Sequence, residues 1–194
     1  MTDYFALLDQ PRRPWVDPEA LKQSFHDRTL RQHPDAQASA GGDAEGEFAR
    51  LNEAHQTLRD PKLRLQHLLA LEGHAATSRF DAVPSDLADL FPAIAAVTQD
   101  AARVAEKVAT VTSALSRSLL ASEVVQVRNR IATSLETLAH LHAAADAQLQ
   151  RINATFAGCD DATAVMLHAL RVRYSYLGRW IAQLEEHRTA LAMI

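Results

Sequence analysis

Apolar positions recur along most of the chain at steps of three and four, and nowhere do they alternate over a β-branched run as a half-buried strand would. The longest runs lie in the second part. Val104, Val108, Val111 and Leu115 predict one amphipathic helix. Val127, Ile131, Leu135, Leu138, Leu141, Ala145, Leu149, Ile152 and Phe156 predict another, opening near Ser122, closing at Gly158 and roughly 50 Å long at about 1.5 Å per residue. Asp160 or Asp161 can cap a last helix whose inward set is Met166, Leu170, Tyr174, Leu177, Ile181, Leu184 and Leu191. Residues 93–194 contain only Gly158 and Gly178 as breakers, so an elongated three-helix bundle is expected there.

The N-terminal part predicts four shorter helices. The first runs from about Asp3 to Leu8, with Tyr4, Leu7 and Leu8 inward. Asp17 before Pro18 is a strong start, because the carboxylate accepts from free amides and proline sits where its missing N–H costs nothing. That second helix should run to His33, where the ring of Pro34 disfavours helical geometry. After a small-residue loop over 36–43, a third helix from about Ala44 to Arg59 places Phe48, Leu51, Ala54 or His55, and Leu58 on one stripe. Asp60-Pro61 repeats the start signal, and a fourth helix carries Leu65, Leu68 and Leu69 to a stop at Gly73. The expected fold is all-α: a domain over 1–73, a linker over 74–83, and a helical bundle over 84–194.

Composition narrows the function. The 194 residues carry a formal charge of −4, divided as −3 over 1–73 and −1 over 74–194, so neither part is suited to coat a phosphate backbone and no nucleic-acid partner is expected. Arg outnumbers Lys, of which there are only Lys22, Lys62 and Lys107, and this favours planar contacts with protein carboxylates. Cys159 is the sole cysteine, which points to a reducing compartment, and its aspartate neighbours disfavour a thiolate. No apolar run approaches the roughly 18 residues of a membrane span, so a cytoplasmic protein without a membrane partner is expected. The chain has no phosphate-cradling glycine loop, serine elbow or paired metal signature, and His140 and His142, two apart, point to different sides of a helix. No catalytic set, metal site or cofactor is expected, and the chain is read as a non-enzyme.

The tripeptide His33-Pro34-Asp35 stands where a charged helix meets an exposed loop, and composition alone predicts only about 0.02 copies of it. Taken alone it has two readings: a recognition device, or an ordinary helix terminus with His33 at the negative end and Asp35 opening an Asx-turn. On the preceding helix Lys22, His26 and His33 share one side, with Arg28 and Arg31 adjoining, while Leu21 and Phe25 turn inward. Glu19 and Asp27 hold the net charge of 18–33 at +1, so a solvated polar face is the alternative to a docking face.

In order and spacing, DYFALL at 3–8, DPEALKQSFHDRTLRQ running into HPD, the glycine-containing loop and FARLNEAHQTLRDP at 48–61 resemble a J-domain. TLRDPKLRLQHLLALEG at 57–73 and VMLHALRVRYSYLGRWIAQLEEH at 165–187 are similar to the HscB type, which serves iron–sulfur cluster assembly. The resemblance implies a co-chaperone that docks on the ATP form of a DnaK/HscA-type chaperone and speeds its ATP hydrolysis, performing no covalent step itself. It assigns His33, Pro34, Asp35, Lys22, His26, Arg28 and Arg31 to chaperone binding. It further implies an iron–sulfur scaffold protein as second partner, with Leu87, Leu90, Phe91 and Ile94 as the contact, although the family's run of glutamates is largely missing from 85–100 and Pro92 interrupts it. First-helix core residues are the other reading of those four. Gln32 before HPD and Ala36 after it depart from the family's aromatic and basic residues. A J-protein for a different client and a helical adaptor with a degenerate J-domain are the competing readings.

Overall fold

In the computed structural model, which describes residues 1–31, 44–74 and 84–192, every regular element is a helix. In chain order these are α1 (Tyr4–Leu7), α2 (Pro18–Arg31), α3 (Ala44–Arg59), α4 (Pro61–Leu71), α5 (Ser85–Ala88), α6 (Leu90–Thr110), α7 (Ala114–Ala154) and α8 (Asp161–Ala192). No described helix is long and apolar enough to cross a membrane.

The helix starts follow from local chemistry. Asp3 accepts from Phe5 and Ala6 N–H, Asp17 from Glu19 and Ala20, Asp60 from Leu63, and Asp160 from Thr163, so each aspartate satisfies amides that have no partner inside the helix. At the end of α4, Gly73 adopts φ +81 and the His74 N–H reaches back to Leu69 O at 2.7 Å, a left-handed stop suited to a residue without Cβ.

The chain forms two compact units. One contains Met1–Ala82 with Ala147–Val172, the other Val83–Asp146 with Arg173–Ile194. Compactness therefore does not follow chain order, because the end of α7 and the start of α8 group with α1–α4. Of the expected 74–83 linker only His74 lies within the described residues. His74 is tied down: its Nε2–H donates to Cys159 O at 2.8 Å and its own carbonyl accepts from His168 Nε2–H at 3.0 Å.

In the first unit, α1 and α2 both pack on α3, which also packs on α4. Phe5, Leu8, Leu21, Leu51, Ala54, Leu58, Leu65, Leu68 and Leu69 are buried. Phe5 replaces Tyr4 and Leu7 as the main inward residue of α1, because so short a helix presents only one narrow face; Tyr4 and Leu7 are half-buried beside it. Phe48 is 46% exposed, so the α3 stripe begins a turn later, at Leu51.

Three buried polar side chains brace this unit. Arg64 donates from Nε to Pro14 O at 2.8 Å and from Nη1 to Leu58 O at 2.6 Å, fastening the connector before α2 to the end of α3. His168 is buried against the His74 carbonyl. His67 accepts the Tyr4 N–H at Nε2, 3.1 Å away, and stacks on the Tyr4 and Phe5 rings. Burial pushes the His67 imidazole below its ordinary range, against the opposing pull of the Asp3 carboxylate. Protonation would also cost the Tyr4 bond. Because the folded-state pKa is lowered, this stabilisation is complete above the unfolded value of about 6.5 and is lost as pH falls toward the folded value. His55, lowered by burial and by Arg59, adds in the same direction. His67→Asn is expected to be less stable at neutral pH and to show a flatter fall in Tm between about pH 6.5 and 5; an unchanged slope would remove His67 from the account.

The second unit closes on Leu87, Ile94, Val97, Ala101, Val104, Val124, Val127, Ile131, Leu138, Leu177, Trp180, Leu184 and Leu191. The expected seam from Val104 to Leu115 is cut. α6 stops at Thr110, Val111 is extended at φ −83 and ψ 121, and Leu115, 72% exposed, belongs to α7. The β-branched run Thr110-Val111-Thr112 is poor helix material and breaks the element there. α7 accordingly starts at Ala114 instead of Ser122. In α8 Met166 is 43% exposed and Leu167 takes the inward place. Pro92 falls in the first turn of α6, where a missing N–H costs nothing, so the helix continues through it.

Candidate chaperone-docking site

The docking residues expected from the sequence divide into those on α2 and those after it. His33, Pro34 and Asp35 lie outside the described residues. On α2, Leu21 is buried and Phe25 stacks on His55 of α3, with ring centroids 4.4 Å apart, and these contacts turn the opposite face outward. Lys22, His26 and Arg31 are exposed there. The first turns of α2 and the last of α3 share a groove of about 820 Å³, its apolar floor from Val16, Leu21 and Phe25 and its rim from Lys22, His26 and Arg59. That pairing makes α2 and α3 antiparallel.

Arg28 differs from the other three. Its Nε and Nη2 hold Asp9 at 2.9 and 2.5 Å, a forked contact that pulls the Asp9 carboxyl below its usual range. Asp9 itself sits at φ 50, the only positive value for a non-glycine among the described residues. Arg28 is therefore a clasp on the turn after α1. The pairing spans 19 residues, and no helix periodicity reveals it.

His55 is a half-buried boundary residue. Among the described residues no group of three or more His, Cys, Asp or Glu could hold a metal. His142 pairs with Asp146 at 3.1 Å, while His140 is exposed on another side of α7. Burial, then the charges of Glu72 and Asp160, raise the Cys159 thiol.

The four residues expected to touch a scaffold protein are not equivalent. Leu87 is fully buried and Ile94 5% exposed, so both close the core of the second unit and present no contact surface. Leu90 is half-buried against that core. Phe91 alone is exposed, at 37%, with its ring edge-on to Tyr176 and Trp180 at 5.3 and 4.8 Å. Leu87 and Ile94 thus follow the core reading of these four residues.

Residues 3–67 match the family model of the DnaJ domain, an interval that includes α1, α2, α3, most of α4 and His33-Pro34-Asp35. The structure is similar to that of the chaperone HscB from Vibrio cholerae, with a TM-score of 0.57 and 20% identity over 98% of this chain and 99% of that one. The crystal structure of the human co-chaperone protein HscB aligns with a TM-score of 0.42 and 18% identity over 97% of this chain and 81% of that one. The chain thus carries a DnaJ domain at its N-terminus and has the fold of the Vibrio cholerae chaperone HscB.

Proposed function

We propose that this chain is an HscB-type co-chaperone that stimulates the ATPase of a DnaK/HscA-type chaperone through His33-Pro34-Asp35 and brings it an iron–sulfur scaffold protein on its second unit. The observation that carries the reading is the DnaJ match over residues 3–67, which takes in that tripeptide and α2 with its exposed Lys22, His26 and Arg31. These cations would draw an acidic chaperone surface toward α2. Asp35 would then meet a partner arginine in a charge-assisted contact, with His33 and Pro34 setting its geometry. Arg28 would serve indirectly, by holding Asp9 and with it the turn beside α2. No bond is made or broken on the chain itself. ATP hydrolysis belongs to the chaperone.

A J-protein for a different client is the second reading, favoured by the burial of Leu87 and Ile94 and by the missing glutamates of 85–100. The test is steady-state ATP hydrolysis by a purified DnaK-type chaperone with the full chain, with and without a purified iron–sulfur scaffold protein. Stimulation by the chain, raised further by the scaffold, is the expected result. Stimulation without a scaffold effect would move the reading to another client, and no stimulation would overturn the co-chaperone function.

A further inference from the structure

The turn after α1 closes that helix through a left-handed aspartate. The Asp9 N–H reaches Ala6 O at 3.3 Å and the Gln10 N–H reaches Phe5 O at 2.8 Å, the two back-bonds that end a helix around one left-handed residue. That residue is Asp9, at φ 50, a conformation glycine adopts freely and a side chain with Cβ adopts at a cost. At the end of α4 the chain uses Gly73 for the same purpose. The needs of the backbone therefore do not account for an aspartate at position 9. An outlier kept in place by its surroundings points to work done by the side chain.

The side chains of this turn reach α2. Asp9 accepts from Arg28 Nε at 2.9 Å and from Nη2 at 2.5 Å, and Gln10 donates from Nε2 to Ser24 Oγ at 2.9 Å and to Leu8 O at 3.1 Å. Ser24 and Arg28 are four residues apart and share a side of α2, so turn and helix are joined by two adjacent rungs. Lys22 and His26, also four apart, lie on a different side and stay exposed. Arg28 stands in the last turn of α2, and the charge of Arg31 in that turn adds to the Arg28 bond in holding the Asp9 carboxyl below its usual range. The second half of α2 is thus fastened from its flank, three residues before the helix ends at Arg31 and five before His33 in the chain.

The Asp9 side chain is 59% exposed and that of Arg28 34%, and an ion pair so open to water adds little to stability. A strained turn kept for a weak stabilising contact makes sense where the contact sets a direction. We propose that Asp9 and Gln10 are positioning residues for chaperone stimulation: through Arg28 and Ser24 they fix the last turns of α2, from which the chain runs into His33-Pro34-Asp35, and so govern how strongly a docked complex is stimulated. The two demands on α2 differ in range. A contact that acts on a rate is sensitive to displacements of about 1 Å, whereas steering cations act over about 10 Å. Loosening the end of α2 therefore lowers the effect of docking more than its frequency. The inference deepens the proposed function and rests on its assignment of the tripeptide to the chaperone.

The test titrates the full chain into a purified DnaK-type chaperone, reading steady-state ATP hydrolysis, and follows amide hydrogen exchange along α2 in the chain alone. Asp9→Gly removes the carboxylate but takes up φ 50 without strain, so its two effects on stability oppose each other and Tm should stay within about 3 °C of the native value. It is expected to lower the plateau of stimulation by about threefold or more, to leave the half-maximal concentration within about twofold, and to speed exchange at Leu30 and Arg31 by about tenfold. Gln10→Ala should act in the same direction, and Asp9→Asn, which keeps an acceptor for Arg28, should fall between. Arg28→Ala added to Asp9→Gly should do no further harm, since both act through one contact. A lowered plateau at native Tm separates positioning from a general loss of fold. Native stimulation by both Asp9→Gly and Gln10→Ala would overturn the role while leaving the co-chaperone reading standing. A raised half-maximal concentration with the plateau kept would overturn it too, as would Arg28→Ala lowering stimulation where Asp9→Gly does not, because Arg28 would then meet the chaperone itself. No stimulation by the native chain would remove the role together with the proposed function.

Discussion

Replacing Asp35 by asparagine is expected to abolish stimulation of the partner chaperone's ATPase while leaving the helical signature of the chain unchanged. The substitution keeps the shape of the side chain and removes only its charge, so it isolates the proposed carboxylate–arginine contact. Removing one member of a desolvated charge pair costs about 2–5 kcal/mol, which corresponds to roughly thirtyfold or more in an equilibrium constant. Along the chain the nearest other carboxylates, Asp27 and Asp43, stand eight residues to either side. Exposed cations on α2 should behave differently. Lys22→Glu or Arg31→Glu is expected to raise the concentration of chain needed for half-maximal stimulation, and to do so more at low salt, with the plateau retained, because these residues steer the encounter. Full stimulation by Asp35→Asn in a steady-state assay would refute the role proposed for the tripeptide.

Arg64→Met is expected to destabilise the first unit by about 2–5 kcal/mol, since it leaves two carbonyls without their charged donor and each unpaired buried group costs roughly 1–3 kcal/mol. The two acceptors have different origins. Leu58 O belongs to the last turn of α3, where carbonyls have no helical partner, and Pro14 O belongs to the connector that leads into α2. Methionine fills the volume but accepts the loss of both bonds. Arg64→Lys should rescue little, because a single ammonium cannot reproduce a fork aimed in two directions. Chemical unfolding followed by far-UV circular dichroism measures the loss, and stability equal to that of the native chain would show that the fork is dispensable. The consequence extends to docking: with the connector released, the start of α2 loses its attachment to α3, so weaker chaperone stimulation should accompany the lower stability.

The aspartate-capped helix starts, much of the inward stripes and the stop at Gly73 were legible in the chain because each depends on residues within a few positions of one another. Asp3, Asp17, Asp60 and Asp160 cap amides two or three residues ahead. Val127, Ile131, Leu138, Ala145 and Leu149 share a face of α7 by spacing alone and are buried. The DnaJ match over residues 3–67 was likewise legible, in segments of fixed order and spacing that include the rare tripeptide His33-Pro34-Asp35.

What tertiary structure alone decided involves partners far apart along the chain. Arg28 meets Asp9 across 19 residues, Arg64 meets Pro14 across 50, His67 meets Tyr4 across 63, and His168 meets His74 across 94. No local period encodes such pairs, so a cation that looks free on a helix wheel can be bound, and a histidine or arginine that looks solvated can be buried. The same reason separates Leu87 and Ile94, which close a core, from Phe91, which remains open: spacing determines the face of a helix, and only the neighbouring helices determine how much of that face is covered.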